Sequence, residues 1–495
     1  MNKTKIVLQR FFEENSLVAS NISSFNAFID SGMQKVVDEN KELIPPIIPS
    51  NVEDFKIRLD KIFVSKPEIV EADGSKREIT PMEARMRKLT YAAPVFLSVS
   101  SHINGVQRES FTTQIASLPI MLKSKFCHLN GLNEEELIEK GEDPKDPGGY
   151  FIVNGTEKVL ISVEDLMPNN FLVEYDTLKN AYAGKIFSES GSFKIPHLIE
   201  KKKDGVYYIS FARMKEIPIV VLLKALGLVK DEEIMKTISN EDPFDEVLVN
   251  MYEFMNIKTQ DDALDIISKK INVAQPKEVR VERTKDLMNR FLLPHIGDSE
   301  DSNVIKAKNI CKLLRKYILV SRGDLPVDDK DHYRNKKLKL SGELMMDLFR
   351  ANLRVLTSDI LYNFQRIVKR GKVPSVKVII REKLLTSRIL SSMATGNWVG
   401  GRKGISQRLS RINFLDMLSH LQRVVSPLSS SQENFQARAL HATHLGRLCP
   451  AETPEGTNIG LRKNLSLLSQ ISLDENEQDL IGKLKELGLN EVQNE

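Results

Sequence analysis

Residues 146–162, DPGGYFIVNGTEKVLIS, leave the backbone little choice. A Pro-Gly-Gly turn feeds an apolar strand, Asn154-Gly155 reverses it, and Lys158 to Ser162 returns. Asn-Gly supplies the two positive φ angles of a type I′ turn, whose twist matches that of paired strands, so a β-hairpin is expected. A glycine-rich turn near Lys158 also invites comparison with a phosphate cradle. Such a loop runs into a helix N-terminus, however, and these glycines run into a strand.

More sheet is expected before the hairpin. In FKIRLDKIFV, Phe55, Ile57 and Leu59 alternate with Lys56, Arg58 and Asp60, the period of a half-buried strand. TYAAPVFLSVS (90–100) and the segment from Val106 to Ile115 read as partners in the same antiparallel sheet. Residues 4–40 have helical spacing, with Phe25, Phe28, Ile29, Val36 and Val37 on one side, until Pro45, Pro46 and Pro49 stop the pattern. From about Met167 the composition changes. A mixed segment carrying Lys201 to Lys203 precedes helical patterns at 215–227, 230–239, 261–271 and 302–320, which reads as a separate, mainly helical domain inserted into the sheet-bearing one. The three lysines sit beside Asp204-Gly205, as at a solvated hairpin tip. Gly342 to Lys369 then forms a long amphipathic helix, with Leu344, Leu348, Leu353, Leu356, Ile360, Leu361 and Phe364 on or near one face. A second helix, about Val378 to Met393, follows, and the fold class expected is α+β and multidomain.

Several function classes are disfavoured by the residues themselves. The N-terminal apolar run is broken by Gln9 and Arg10 and followed by Glu13 and Glu14, as in a helix and unlike a signal peptide. The longest apolar run, IPIVVLL at 217–223, is far short of the ~18 residues of a membrane span. A cytoplasmic protein without a membrane partner is expected. Cys127, Cys311 and Cys449 lie far apart with no CxxC pair, so reduced, buried thiols are expected in place of a disulfide framework or a local zinc site. Asp328, Asp329, Asp331 and His332 cluster, but no Gly follows at the sharp-turn position and no Glu closes a calcium loop.

Charge is concentrated in one place. Between Arg381 and Ser466 twelve Lys/Arg face five Asp/Glu, a local charge of +7, whereas residues 1–380 carry only +2 and 467–495 carry −5. A local excess of this kind points to a polyanion partner at one surface. Within it, Gly396, Gly400, Gly401 and Gly404 form a permissive loop displaying Arg402 and Lys403, which could make an anion nest. Gly396 and Gly401 have the separation of a P-loop, but Arg402 replaces its lysine and Lys403 its magnesium-holding Ser/Thr. Ile405, Leu409, Ile412, Leu415, Leu418 and Leu421 recur at helical spacing, burying a stripe and exposing Gln407, Arg408, Arg411 and Arg423. On one straight helix Gln407 and His420 would point to opposite sides; to reach the same ligand the helix must break, with Asn413 or Asp416 capping a second segment. Ser426 to Gln436 is a polar loop, either a linker or a functional tip. In CPAETPEGTNIGL (449–461), Glu452 and Glu455 lie among Arg447, Arg462 and Lys463; no patterned nucleophile or His accompanies them, so the acids are expected to orient arginines that face phosphate.

These motifs resemble, in order, the second-largest subunit of multisubunit DNA-directed RNA polymerase in its archaeal/eukaryotic form. The resemblance is carried by KSKFCHLNG (123–131), DPGGYFIVNGTEKVLIS, DDKDHYRNKKL, GISQRL, LSHLQR and HLGRLCPAETPEGTNIGLRKNLS, spanning 90–466 with the flanking strand. It implies a sheet-bearing protrusion in two parts (1–165 and 335–393), an inserted lobe (166–334), a mixed fork domain (394–470) and a tail at a split junction (471–495). It implies that Gln407, Arg408, Arg411, His420, Arg423, Pro454, Glu455, Asn458 and Lys463 lie near RNA and DNA, with Ser426 to Gln436 facing the downstream edge of the bubble. The family's catalytic aspartates belong to the largest subunit, so no residue here is expected to be catalytic or to bind metal. No cofactor is expected in this chain, and the Mg2+ of the assembled enzyme is expected mainly on other chains. The family's second half is not found before Glu495, which resembles the split archaeal form, in which an N-terminal half, B'', is completed by a separate B' chain; an expressed fragment would end the same way. Expected partners are B', the largest and other polymerase subunits, template DNA, nascent RNA and general initiation factors. A free-standing nucleic-acid-binding protein is the alternative function.

Overall fold

The computed structural model describes residues 3–48, 52–177, 179–191, 193–239, 244–270, 276–371, 375–472 and 477–489. The chain divides into two compact units, Met1–Asp165 with Leu338–Glu495, and Leu166–Lys337.

In the first unit, helices Lys3–Glu14 and Ala19–Ala27 lead through a π-helical turn, Phe28–Gly32, into Met33–Asp38. Phe25, Phe28, Val36 and Val37 are buried, as their spacing requires. A four-stranded sheet follows in the order Glu42–Leu43, Phe55–Val64, Ala92–Ile103, Val106–Pro119. Phe55, Ile57 and Leu59 point into the core, and then the register against the next strand shifts between Leu59 and Ile62. The shift re-aims the strand, burying Ile62 and leaving Phe63 half exposed. The helix Ser341–Val368 buries Leu344, Leu348, Leu353, Leu356, Ile360 and Phe364 in the same core. The expected second helix is two pieces, Val376–Ile379 and Glu382–Thr395, with Ile380 extended between them.

The hairpin forms as its sequence demands: Phe151–Val153 pairs with Thr156–Leu160, and Asn154 and Gly155 have φ of 50° and 73°. A Cβ on Gly155 would also lie 2.6 Å from the Lys88 Cα. The hairpin's second strand pairs with Ser406–Arg408, and Ser162–Leu166 runs parallel to Arg423–Val425, which pairs antiparallel with Arg462–Asn464. Trp398, Ile405, Leu409, Met417 and Leu421 join one apolar core with the sheet and the long helix.

The second unit begins with a five-stranded antiparallel meander, Phe171–Asp176, Ala181–Ser190, Phe193–Lys201, Tyr207–Phe211 and Met214–Pro218. This sheet occupies the segment read as mixed, ahead of the helices that make up most of the rest of the unit; part of the predicted helix at 215–227 is its last strand, and the helix proper is Ile219–Ala225. Among the described residues, the longer helices that follow include Asp231–Ser239, Gln260–Lys270 and Asn303–Arg322, which match predicted segments, and Asp245–Glu253 and Lys277–Phe291, which fall where no helix was expected. Asp328 accepts a hydrogen bond from the Val173 N–H at 2.9 Å and pairs with Lys316 at 2.7 Å, so its carboxylate fastens a loop to the sheet. Among the described residues no group of three or more His, Cys, Asp or Glu is placed to hold a metal ion, and no helix is long and apolar enough to cross a membrane. Cys127 and Cys311 are buried; Cys449 is only half buried.

Candidate nucleic-acid interface

The structure corrects the single helical stripe expected over 405–424. Ser406–Arg408 is a strand, and only Phe414–Leu421 is a helix, capped by Asn413, whose side chain accepts from the Asp416 N–H at 2.8 Å. Ile412 and Leu415, expected in the buried stripe, are 84% and 76% exposed. Pairing to the hairpin draws 406–408 out of helical geometry, because the hairpin's second strand otherwise has an open edge. The break brings Gln407 and His420 together: His420 Nδ1 accepts from the Ser410 N–H at 3.1 Å, which leaves the proton on Nε2, 3.2 Å from Gln407 Oε1. Burial, with the charges of Arg423 and Arg462 adding to it against Asp416, holds the His420 pKa down at about 4. The imidazole is therefore neutral at physiological pH and acts as an internal brace.

Arg411 is committed to the DPGGY motif. Its guanidinium donates to Glu157 at 2.8 Å, and to Asp146 and the Tyr150 hydroxyl at 2.9 Å each, with its charge 5.2 Å from the Tyr150 ring centre. Arg85 enters the same network through Glu142 and Glu157. Lys463 is also committed. It is 9% exposed, and its ammonium lies 3.0 Å from Glu164, itself 2% exposed. Although expected near nucleic acid, Lys463 faces the core as half of a buried ion pair.

The residues left open are Arg408, Arg423, Pro454, Glu455 and Asn458. Arg408 is exposed and opposite Lys158 in register. Arg423 is half buried, with no hydrogen bond or ion pair to its side chain among the described residues. Burial and the neighbouring Arg462 charge push its pKa below the usual arginine value. Pro454 and Asn458 are half exposed, and Glu455 is exposed at the start of a short turn, Gly456–Asn458. The acids do not orient the arginines as expected: Glu452 accepts from the Ser419 hydroxyl, and neither Glu452 nor Glu455 pairs with Arg447, Arg462 or Lys463 among the described residues.

A model of the RNA polymerase beta subunit matches residues 16–387, and one of RNA polymerase Rpb2, domain 3, matches 407–471. The chain belongs to the RNA polymerase beta-subunit family. It is 43% identical to DNA-directed RNA polymerase subunit Rpo2N of Methanococcus vannielii, over 98% of this chain and 99% of that protein. It is 42% identical to Rpo2N of Methanocaldococcus jannaschii, over 98% of each. Against subunit Rpo2 of Saccharolobus shibatae it is 41% identical over 98% of its own length but spans only 43% of that protein.

Within this beta-subunit family member, one organising residue escaped the reading of the sequence. Arg438 donates to four backbone carbonyls, those of Thr457 at 2.7 Å, Ile459 at 3.1 Å, Ser430 at 2.9 Å and Gln432 at 3.1 Å. It ties the polar 426–436 loop to the 449–461 turn. Gly460 permits the approach: a Cβ there would lie 2.1 Å from the Arg438 carbonyl oxygen. The only hint in the sequence was an arginine beside a loop too polar to hold itself in place.

Proposed function

We propose that this chain is the N-terminal half of the second-largest subunit of a DNA-directed RNA polymerase, working in DNA-templated RNA synthesis without being catalytic alone. The observation that carries this is the end-to-end correspondence with Rpo2N, 98% of one chain against 99% of the other. In this function the protrusion, lobe and fork form one side of the DNA cleft, in the cytoplasm. Gln407, Arg408, Arg423, Pro454, Glu455 and Asn458 line the path of nascent RNA near the active centre, and the 426–436 loop faces the downstream edge of the bubble. Open guanidinium groups serve that role by neutralising phosphodiesters and releasing their counterions. His420 and Arg411 hold the open residues in place, one through Gln407 and the other through the hairpin.

The partners are a B' chain supplying the rest of the polypeptide, the largest and other polymerase subunits, template DNA, nascent RNA and general initiation factors. The magnesium ions of the assembled enzyme are held mainly by those other chains, and every contribution assigned to this one is positional. Co-expression with the other polymerase subunits tests the assignment. Stoichiometric co-purification is expected, whereas a stable, monodisperse monomer that binds DNA alone would make the chain a free-standing nucleic-acid-binding protein.

A further inference from the structure

Arg423–Val425 and Arg462–Asn464 pair as an antiparallel ribbon at one edge of a four-stranded sheet, with Arg423 opposite Asn464 and Val425 opposite Arg462. Side chains alternate between the faces of a strand, so Val424 and Lys463 share one face, and Arg423 and Arg462 the other. On the first face Val424 and Lys463 are buried, and on the second Asn464 and Val163 are buried beside the two arginines. On the second, Arg462 is the diagonal neighbour of Arg423, a relation that sets the Cβ atoms about 7 Å apart. Both arginines are half exposed, and neither guanidinium has a hydrogen bond or ion pair among the described residues. Asp416 and Glu452 act on Arg423 only through space, and Glu452 also accepts from the Ser419 hydroxyl. Two like charges held together without a bound counter-charge destabilise the free chain, and the arrangement is relieved when an anion sits between them.

We propose that Arg423 and Arg462 together grip a single phosphodiester group of a nucleic-acid strand, through the half-exposed guanidinium groups they present on the same face of this ribbon. Arg462 thus becomes a second, unassigned phosphate-binding residue. The inference rests on the polymerase-subunit function for the identity of the strand, nascent RNA, while the grip itself follows from the ribbon. Each guanidinium donates two N–H groups to non-bridging oxygens, a planar match that lysine lacks. The depressed pKa of Arg423 agrees with an unfilled site, since a bound phosphate would restore it.

A double-mutant cycle on the full-length chain tests this. Binding of a short single-stranded RNA, and of DNA of the same sequence, is followed by fluorescence anisotropy across a salt series. The proteins are wild type, Arg423→Gln, Arg462→Gln and the double variant, with Lys203→Gln as a control. Each single variant is expected to lose affinity roughly tenfold, and its salt slope should fall by about 0.7. Because one phosphate is shared, the double variant should lose little more than either single one. Arg462→Gln should also melt no lower than wild type, because it relieves repulsion; Arg462→Lys, which keeps the charge, should bind as weakly as the glutamine variant if the planar grip matters. A preference for RNA would identify the transcript as the strand, and equal binding would identify the phosphodiester alone; either supports the grip. Wild-type affinity and slope in both single variants, or losses that simply multiply in the double, would overturn it. Elongation by reconstituted polymerase is a separate readout: normal elongation beside an intact cycle counts against the placement of the ribbon on RNA and still supports the grip.

Discussion

Arg462 and Lys463 are neighbours in the chain with opposite fates, because a strand sends adjacent side chains to opposite faces. Lys463 enters the core against Glu164, where desolvation makes the pair costly and half of it costlier still. Lys463→Met is expected to lower stability by about 3–5 kcal/mol in urea unfolding, and adding Glu164→Leu should recover most of the loss. His420 shows the same logic through pH. Its folded pKa of about 4 lies below the roughly 6.5 of an unfolded histidine, so the unfolded chain binds its proton first. The stability that neutral His420 secures is whole above about pH 6.5 and declines as pH falls towards 4, by about 3 kcal/mol in total. A His420→Gln variant should show a shallower loss over that window than wild type; parallel pH curves would show that His420 is not held neutral.

At the level of elements, turn chemistry was legible and edge pairing was not. Asn154-Gly155 announced the hairpin because few other dipeptides accept two positive φ angles. Gly155→Ala is expected to cost about 1–3 kcal/mol, from strain at φ 73° and the clash with Lys88, read as a lowered melting temperature. By contrast, Ile405 to Leu421 carried a helical apolar period, yet its first part became a strand. The deciding contact, Gln407 opposite Val159, joins residues far apart in sequence, and no local pattern reports it. The Asn413 cap was readable because capping is local. Arg438 was not, since its value lies in carbonyls contributed by two separate loops. Arg438→Ala should expose 429–434 to limited proteolysis several times faster than in wild type, and Arg438→Lys should rescue it poorly, having no planar fork to share among four acceptors.

For the whole molecule, Leu166–Lys337 forms a compact unit of its own, opening on a five-stranded meander. That meander was not legible because its strands, such as FKIPHLIEK and MKEIP, lack a clean apolar–polar alternation. The fork residues were named largely by family resemblance; the structure then separated the braces Arg411, His420 and Lys463 from the open set. That separation carries the functional claim, and nucleotide addition on an assembled RNA–DNA bubble tests it most directly. The isolated chain should incorporate nothing, and polymerase reconstituted with it should elongate. Replacing Arg423 or Glu455 with Ala should slow that elongation roughly tenfold, the loss of one charge-assisted contact. Normal elongation by both variants would contradict the assignment of this face to the path of the transcript.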